Sequence, residues 1–434
     1  MDSPASPCHA RGVARQAQRH LKWLFVGGTL GLIVTAATNL MVNPWRVLPR
    51  ATEIKALDRY RDIDAEKRTC KGGLAMRGPW DVLVIGSSRP DSGIDPELPV
   101  FEGKPTVNLG MPGGDLYETR AMLDLALKYQ HPKRALLFLD AGDLTRPGKI
   151  RIDSDFEISP MATGDPVERN LRYIFSQNAI SCSIEAVRYP IDEQLSTRLS
   201  PKWLVHHYQK HPYKGPAYTP FGRHRKQTDL EDFKNYFTIL KRYLPWAGEL
   251  SDDQRRGLGV QADKLKVVRA MLDACADHGV EAILAIPPNH LTLTQAMEEQ
   301  GAPDPFFLKE RRALADLVTD SNKAHATLPC QLWDLNLPSP TTREPFPLED
   351  GVRMTSWLDP VHFTPAAGAR YVGLMWGTHP EEAELGIHVN ATDTEAYLAT
   401  VEARFKAAEQ DLPTERGRIH RAIVDKEPTP EGKK

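Results

Sequence analysis

The stretch Asp81-Val82-Leu83-Val84-Ile85-Gly86-Ser87-Ser88-Arg89 is a short apolar run that stops at a glycine and passes into small polar residues. A run of that length without alternation is buried on both faces, as a strand inside a parallel sheet is. Similar runs follow at Thr106 to Leu109, Ala135 to Leu139, Ala282 to Ile286 and, more weakly, Gln331 to Leu335. Helical stretches lie between them. Leu116 to Tyr129 opens with Asp115 and Glu118 in capping-box spacing, Gln261 to His278 stops at Gly279, and Phe307 to Asn322 carries apolar residues at helical intervals. A further helix starts at Thr364-Pro365, a capping residue followed by proline at the first helical position. Strands alternating with helices predict an α/β domain over 81–380, a parallel sheet with helices on both faces.

The alternation is interrupted once. About 140 residues separate Leu139 from Ala282, far more than a crossover helix needs, so an inserted subdomain is expected at about 146–258. Helices are expected in it near Val167 to Val187 and Leu230 to Tyr243, and its role is open between covering a site, binding a partner and filling space. His207 and His211 stand at i, i+4 spacing there, but no acidic or cysteine ligand is near and Lys202, Lys210 and Lys214 disfavour a cation. No metal and no cofactor is therefore expected. Tyr208, Tyr213, Tyr218 and Phe221 fit local packing or, alternatively, contact with sugar rings. Residues 45–80 read as a stalk with a short helix around Ala51 to Asp64. Residues 381–434 read as one helix, Asp393 to Ala408, and a charged disordered tail.

At 434 residues the chain exceeds one ordinary core, and 41% hydrophobic with 26% charged residues excludes wholesale disorder, collagen and coiled-coil rods. Lys+Arg 55 against Asp+Glu 57 leaves a net charge of −2, which offers no field for a nucleic-acid backbone. Trp23 to Val42, WLFVGGTLGLIVTAATNLMV, carries no charge and is long enough, at ~1.5 Å per residue, to span the ~30 Å hydrocarbon core. Arg11, Arg15, Arg19 and Lys22 precede it, so the positive-inside rule places residues 1–22 in the cytoplasm and everything after Pro44 outside. The expected partner is thus the cytoplasmic membrane, with the main domain periplasmic or extracytoplasmic. A cleaved signal peptide would have a shorter apolar region and a better cleavage site than Thr35-Ala36-Ala37, and a buried core helix would have a polar face. Outside the membrane Cys70, Cys182, Cys275 and Cys330 permit three pairings, while Cys8 stays cytoplasmic; no Cys-x-x-Cys pair supports zinc or thioredoxin-like chemistry.

Ligands of an open parallel sheet bind where the loops leave the carboxyl ends of the strands. Those loops here are Gly86-Ser87-Ser88-Arg89, Asn108-Leu-Gly-Met-Pro-Gly-Gly114, Asp140-Ala-Gly-Asp143, Pro287-Pro-Asn289-His290 and, beyond the fifth strand, Asp359-Pro-Val-His362. A nucleophilic serine needs an adjacent base, the base needs a carboxylate to fix its tautomer, and the oxyanion needs preorganised N–H donors. Ser88, His362 and Asp359 supply the first three, and the N–H groups of Ser88 and Gly113 supply the oxyanion hole. Arg89 reads as pairing with a nearby carboxylate or, alternatively, binding a substrate carboxylate; Asp143 reads as a helix cap or loop ion pair.

These residues resemble the SGNH, or GDSL, hydrolases, serine esterases and acyltransferases on a flavodoxin-like sheet. Gly86-Ser87-Ser88 is similar to the family's Gly-Asp-Ser block, Asn108 to Gly113 to its second block, and Asp359-Pro-Val-His362 to its final Asp-x-x-His block. The resemblance covers about 78–145 and 260–376 and is greatest to membrane-anchored bacterial members of envelope polysaccharide acylation systems. It implies a serine-dependent ester hydrolysis or acyl transfer with Ser88 as nucleophile, an acyl donor and a glycan acceptor as substrates, and a membrane acyltransferase as partner. Three departures stand out. Pro90 and the Asp91-Ser92-Gly93-Ile94-Asp95 stretch follow the nucleophile, where most relatives have a longer unbroken helix. Gly142 occupies the place of the third block's asparagine, an oxyanion donor. Ser87 stands where the family has aspartate and is the alternative nucleophile. Ser87, Asn108 and Asn289 are supporting candidates. The rival function is a catalytically inactive assembly factor of a membrane acyltransferase complex.

Overall fold

The computed structural model describes residues 7–49, 52–61, 66–145, 154–199, 259–299, 302, 304–346, 354–389 and 393–424. Two compact units make up the chain: Met1–Glu66 with Thr163–Gln209, and Lys67–Ala162 with Lys210–Lys434. The predicted helix Leu230 to Tyr243, the His207/His211 pair, the aromatic residues 208–221 and the tail 425–434 lie outside the described residues.

The first unit is built on helix α1, Pro7–Val42, long and apolar enough between Arg15 and Val42 to cross a membrane. From Leu21 to Val34 its large apolar side chains are exposed; near its end Asn39 and Val42 are buried. Two later helices of this unit, named below, close over that end. Asn39, the one amide in the apolar stretch, donates from Nδ2 to the Ile174 carbonyl at 3.0 Å and accepts from the Ser183 hydroxyl at 2.9 Å, so its polarity is spent inside the protein. The chain after α1 is packed where a stalk was expected. Buried Arg46 and Arg61 pair with Asp58 and Glu53 around a short 3-10 helix, Lys55–Tyr60, within the stretch where a short helix was expected, and Trp45 lies edge-on to Tyr173 at 5.7 Å. The polarity that reads as a solvated linker is thus consumed by internal ion pairs.

The second unit opens with α2, Lys67–Ala75, buried from Arg68 onward, which also lies within the expected stalk. A six-stranded sheet follows: β1 Val82–Ile85, β2 Thr106–Asn108, β3 Arg134–Phe138, β4 Glu281–Ile286, β5 Gln331–Asp334 and β6 Ile387–His388, in the order 2-1-3-4-5-6. The first five are parallel, with Val82 beside Thr106 and Arg134, and Arg134 beside Glu281. The tail contributes β6, an antiparallel edge strand beyond β5. Its helices are α3 Ser88–Gly93, α4 Leu116–Tyr129 and α5 Ser154–Ile158. In the first unit come α6 Pro166–Phe175 and α7 Gln177–Leu199; back in the second are α8 Ala262–Asp277, α9 Leu291–Glu299, α10 Leu308–Ala324, α11 Pro365–Trp376, α12 Thr394–Ala407 and α13 Pro413–Val424. The single helix expected over 167–187 is broken at extended Ser176, whose hydroxyl caps the next helix through the Ala179 N–H. Helix α13 occupies part of the expected disordered tail, its buried Glu415 accepting from the Phe346 N–H at 3.1 Å.

The sequence order reverses between β1 and β3, which opens the crevice at the carboxyl ends of those strands. One apolar core, including Val84, Phe138, Trp357, Phe363 and Tyr371, ties the sheet to the segment that carries His362. Close backbone approach sets the spacing there. A β-carbon on Gly368 would lie 1.8 Å from the Gly93 carbonyl oxygen, and one on Gly93 would lie 2.1 Å from the Phe363 ring. Only glycine lets α11, which follows His362, sit directly on α3, which begins with Ser88. Cys275 and Cys330 are free thiols, and burial, assisted by Cys330, pushes the Cys275 thiol up to about 12.

Candidate active site

Adjacent serines at the end of β1 have separate tasks. Ser87 is extended, at φ −84° and ψ −155°, and its Oγ accepts from the Arg89 N–H at 3.4 Å as the cap of α3. Ser88 is the first residue of that helix, half-buried, and its Oγ lies 2.7 Å from His362 Nε2. The alternative of Ser87 as nucleophile is not what the geometry presents: its hydroxyl is used as a cap and is not the one at His362.

His362 Nδ1 lies 2.6 Å from Asp359 Oδ2, and Asp359 Oδ1 accepts the N–H groups of Val361 and His362 at 2.9 Å each. Asp359 and His362 are each 8% exposed. Burial raises the Asp359 carboxyl, but the charge of His362, its hydrogen bond and the two backbone donors outweigh that and hold it below its ordinary value. An ionised carboxylate has no proton to give, so Nδ1 carries the hydrogen and donates it, leaving Nε2 to accept from the Ser88 hydroxyl. The turn is closed by Leu358 N–H donating to the His362 carbonyl at 2.8 Å and by a bridge between Trp357 and Phe363.

A second histidine braces this turn. His290 donates its backbone N–H to the Pro360 carbonyl at 2.9 Å, and its ring lies between Phe346 and Trp357 at 4.7 and 5.5 Å. Burial lowers it to about 4, so it is neutral: Nε2 donates to the Glu344 carbonyl at 2.8 Å and Nδ1 accepts from the Thr292 hydroxyl at 2.7 Å. The Glu344 carboxylate in turn accepts from the N–H groups of Thr355 and Ser356.

The second loop approaches α3 through Met111 N–H, which donates to the Gly86 carbonyl at 2.8 Å. Gly113 has φ +63°, a left-handed conformation suited to glycine, and the N–H groups of Ser88 and Gly113 have no protein acceptor among the described residues. Lys71, fully buried, holds this loop by donating to both Asp91 and the Gly110 carbonyl, while Lys67 donates to the other Asp91 oxygen at 2.7 Å. Arg68 grips Glu118 at 2.6 and 2.8 Å and donates to the Pro112 carbonyl at 3.2 Å. Asp115 caps α4 as expected, and the Glu118 carboxylate faces the Asp115 backbone N–H as well as Arg68; burial raises its carboxyl despite these partners. Nothing in the sequence marks Arg68 and Lys71 as buried, or Lys67 as paired beside them, since all three read as part of a polar stalk.

Asn108 is not an oxyanion donor. Its Nδ2 donates to the Pro90 and Ile94 carbonyls at 2.7 and 2.8 Å and its Oδ1 accepts from Gly110 N–H at 3.0 Å, so both amide hydrogens are committed to the fold. Asn289 is buried beside His290, and its Oδ1 has no hydrogen-bond partner among the described residues. In the third loop Asp143 accepts from the Asp140 N–H at 3.2 Å, and the Gly142 N–H is taken by Glu310 at 2.9 Å. Gly142 therefore offers neither a side-chain donor nor its own N–H in place of the absent asparagine. Arg89 is buried, with Nε 3.4 Å from Asp140 Oδ1 and Nη1 without a partner among the described residues. No group of three or more His, Cys, Asp or Glu is placed to hold a metal ion among the described residues. In comparisons with known proteins no family model, curated protein or solved structure matches the chain.

Proposed function

We propose that the chain is a serine esterase or O-acyltransferase of the SGNH type, on a flavodoxin-like sheet with an inserted subdomain. The α1 helix anchors it in the cytoplasmic membrane with the sheet on the periplasmic side, and the substrate is an ester of a cell-envelope glycan or a related compound. The observation that carries the reading is the unbroken chain Ser88 Oγ, His362 Nε2, His362 Nδ1, Asp359 Oδ2 at 2.7 and 2.6 Å. As Ser88 Oγ bonds to the acyl carbonyl carbon, its proton passes to Nε2 and the carbonyl π electrons move onto oxygen. Asp359 stabilises the imidazolium, and the N–H groups of Ser88 and Gly113 receive the oxyanion. Collapse expels the alcohol, which takes the proton from Nε2 and leaves an acyl-Ser88. Water or a sugar hydroxyl, deprotonated by His362, then attacks that ester and frees Ser88.

The missing side-chain donor of the third block, with Gly142 in the asparagine position and its N–H held by Glu310, favours as a second reading an assembly factor that keeps the fold without turnover. Losing one oxyanion donor typically costs ~10²–10³ in rate, which slows such an enzyme without abolishing it. Treating the full chain with an activated-ester probe and locating the adduct by mass spectrometry tests the enzyme reading, with Ser88 as the expected site. Wild-type acylation of the envelope polymer in cells carrying Ser88→Ala would overturn it in favour of the assembly factor.

A further inference from the structure

Outside α1, the large apolar side chains exposed among the described residues are Tyr129 and a set confined to the unit of α1: Ile54, Val167, Leu171, Phe175, Ile184 and Val187. Three of them define one helix. On α6, Val167, Leu171 and Phe175 recur every fourth residue and are 65%, 50% and 48% exposed. Tyr173 is buried, and the neighbouring Ile174 carbonyl receives Asn39 of α1 at 3.0 Å. Glu168 and Arg172, both exposed, pair with each other at 2.7 Å. At ~100° per residue the apolar stripe spans about 80° of arc, and the charged pair occupies about the next 60°. The helix thus has a face toward protein, a face that avoids water and an adjoining face that seeks it. A helix in the interfacial plane of a bilayer has those needs.

Its position along the span is fixed. Asn39 lies three residues before the end of α1, so the bond to Ile174 meets the apolar helix about 5 Å short of that end. α7 closes on the same place through the Ser183 hydroxyl and through Ala186, which packs with Val42, and leaves Ile184 and Val187 outward. The exposed stripe belongs to the same unit as the apolar surface of α1, where Met41 is itself 45% exposed.

We propose that α6, with the outward side of α7, lies in the headgroup–acyl boundary of the leaflet at the carboxyl end of the α1 span, with phospholipid as its occupant. Val167, Leu171 and Phe175 enter the acyl region, and the Glu168–Arg172 pair stays among headgroups. This rests on the reading of α1 as a membrane span. The apolar stripe bordered by a charged pair matches a lipid–water boundary, and its depth coincides with the end of the span.

The test uses the full chain in native membranes, with p-benzoylphenylalanine replacing Leu171, Phe175 or, as a reference within the span, Leu30. After irradiation, mass spectrometry of the purified chain identifies the adduct. Phospholipid adducts at Leu171 and Phe175 in yields of the same order as at Leu30 are expected. Lipid yields about tenfold lower than at Leu30 would place the stripe in water and overturn the proposal. Adducts to another polypeptide at these two positions, with lipid still captured at Leu30, would overturn it in favour of a protein partner. Absence of lipid at Leu30 as well would show that the span reading itself fails, and the proposal with it.

Discussion

Asp359→Asn separates a working proton relay from an idle one. Asp359 Oδ1 accepts two backbone N–H groups at 2.9 Å while Oδ2 faces His362 Nδ1 at 2.6 Å. Asparagine preserves the backbone bonds only by placing its carbonyl oxygen at Oδ1, which turns its NH2 toward the imidazole. His362 then accepts at Nδ1 and carries its proton on Nε2, where it cannot take the proton of Ser88. Flipping the amide restores the tautomer but sets an NH2 against two buried donors; at ~1–3 kcal/mol per unsatisfied group this costs about 2–6 kcal/mol. With ~1.4 kcal/mol per factor of ten, the variant should be slower by about 30-fold to about 10⁴-fold. Its residual rate should rise about tenfold per pH unit, because hydroxide replaces the missing base. The assay is the rate of Ser88 phosphonylation by a fluorophosphonate on the full chain in detergent, with circular dichroism confirming the fold. A rate within threefold of wild type at neutral pH, or a flat pH profile, would refute the relay.

The other predictions concern the same machinery and its supports. Ser88→Ala and His362→Ala should each remove nearly all esterase activity on an activated ester, and the double variant should lose little more, because the pair acts as a unit; multiplying losses would contradict this. His290 is neutral in the folded chain down to about 4 but takes a proton near 6.5 when unfolded. The unfolded state therefore binds more protons between those values, and about 3 kcal/mol of stability, present above pH 6.5, is lost as pH falls toward 4. Denaturant unfolding of wild type and His290→Gln across that window should show the extra slope in wild type only; equal slopes would remove His290 as its source. Gly368→Ala should destabilise the sheet unit by ~1–3 kcal/mol and slow Ser88 labelling, since its β-carbon would meet the Gly93 carbonyl oxygen at 1.8 Å; unchanged melting and labelling would show that α3 and α11 yield freely.

Strands β1 to β5 were readable because their information is local and redundant. Buried parallel strands carry apolar runs, and the helices between them start with side chains that satisfy the first free N–H groups: Asp115 accepts from Tyr117 and Glu118 at 2.9 Å each, and Thr364 from Ala367 at 3.3 Å. β6 offers no such signal. Ile387–His388 is a strand only because Trp333 and Asp334 lie beside it, and two residues are too short for any periodicity. The expected stalk failed for a different reason: Arg46, Arg61, Arg68 and Lys71 are charged residues that the fold buries, and a single sequence does not distinguish a buried paired charge from a solvated one.

The same distinction between local and distant partners divides the site. Asp359 and His362 lie three residues apart, and the carboxylate that orients the ring also accepts two N–H groups of its own turn, so the tetrapeptide already contains the geometry. Ser88 joins them from 274 positions away, yet it was legible because a serine at a parallel strand's carboxyl end has a predictable edge to occupy. Asn108 is a polar residue in a similar place, but its partners are the Pro90 and Ile94 carbonyls of α3 and its C-cap, 18 and 14 residues away. Either use satisfies an amide equally well. What separates them is whether the fold has already taken both hydrogens, and only the folded chain decides that. By the same criterion Gly113 N–H, which has no protein acceptor among the described residues, keeps its capacity to receive an oxyanion, while Gly142 N–H, held by Glu310, has lost it.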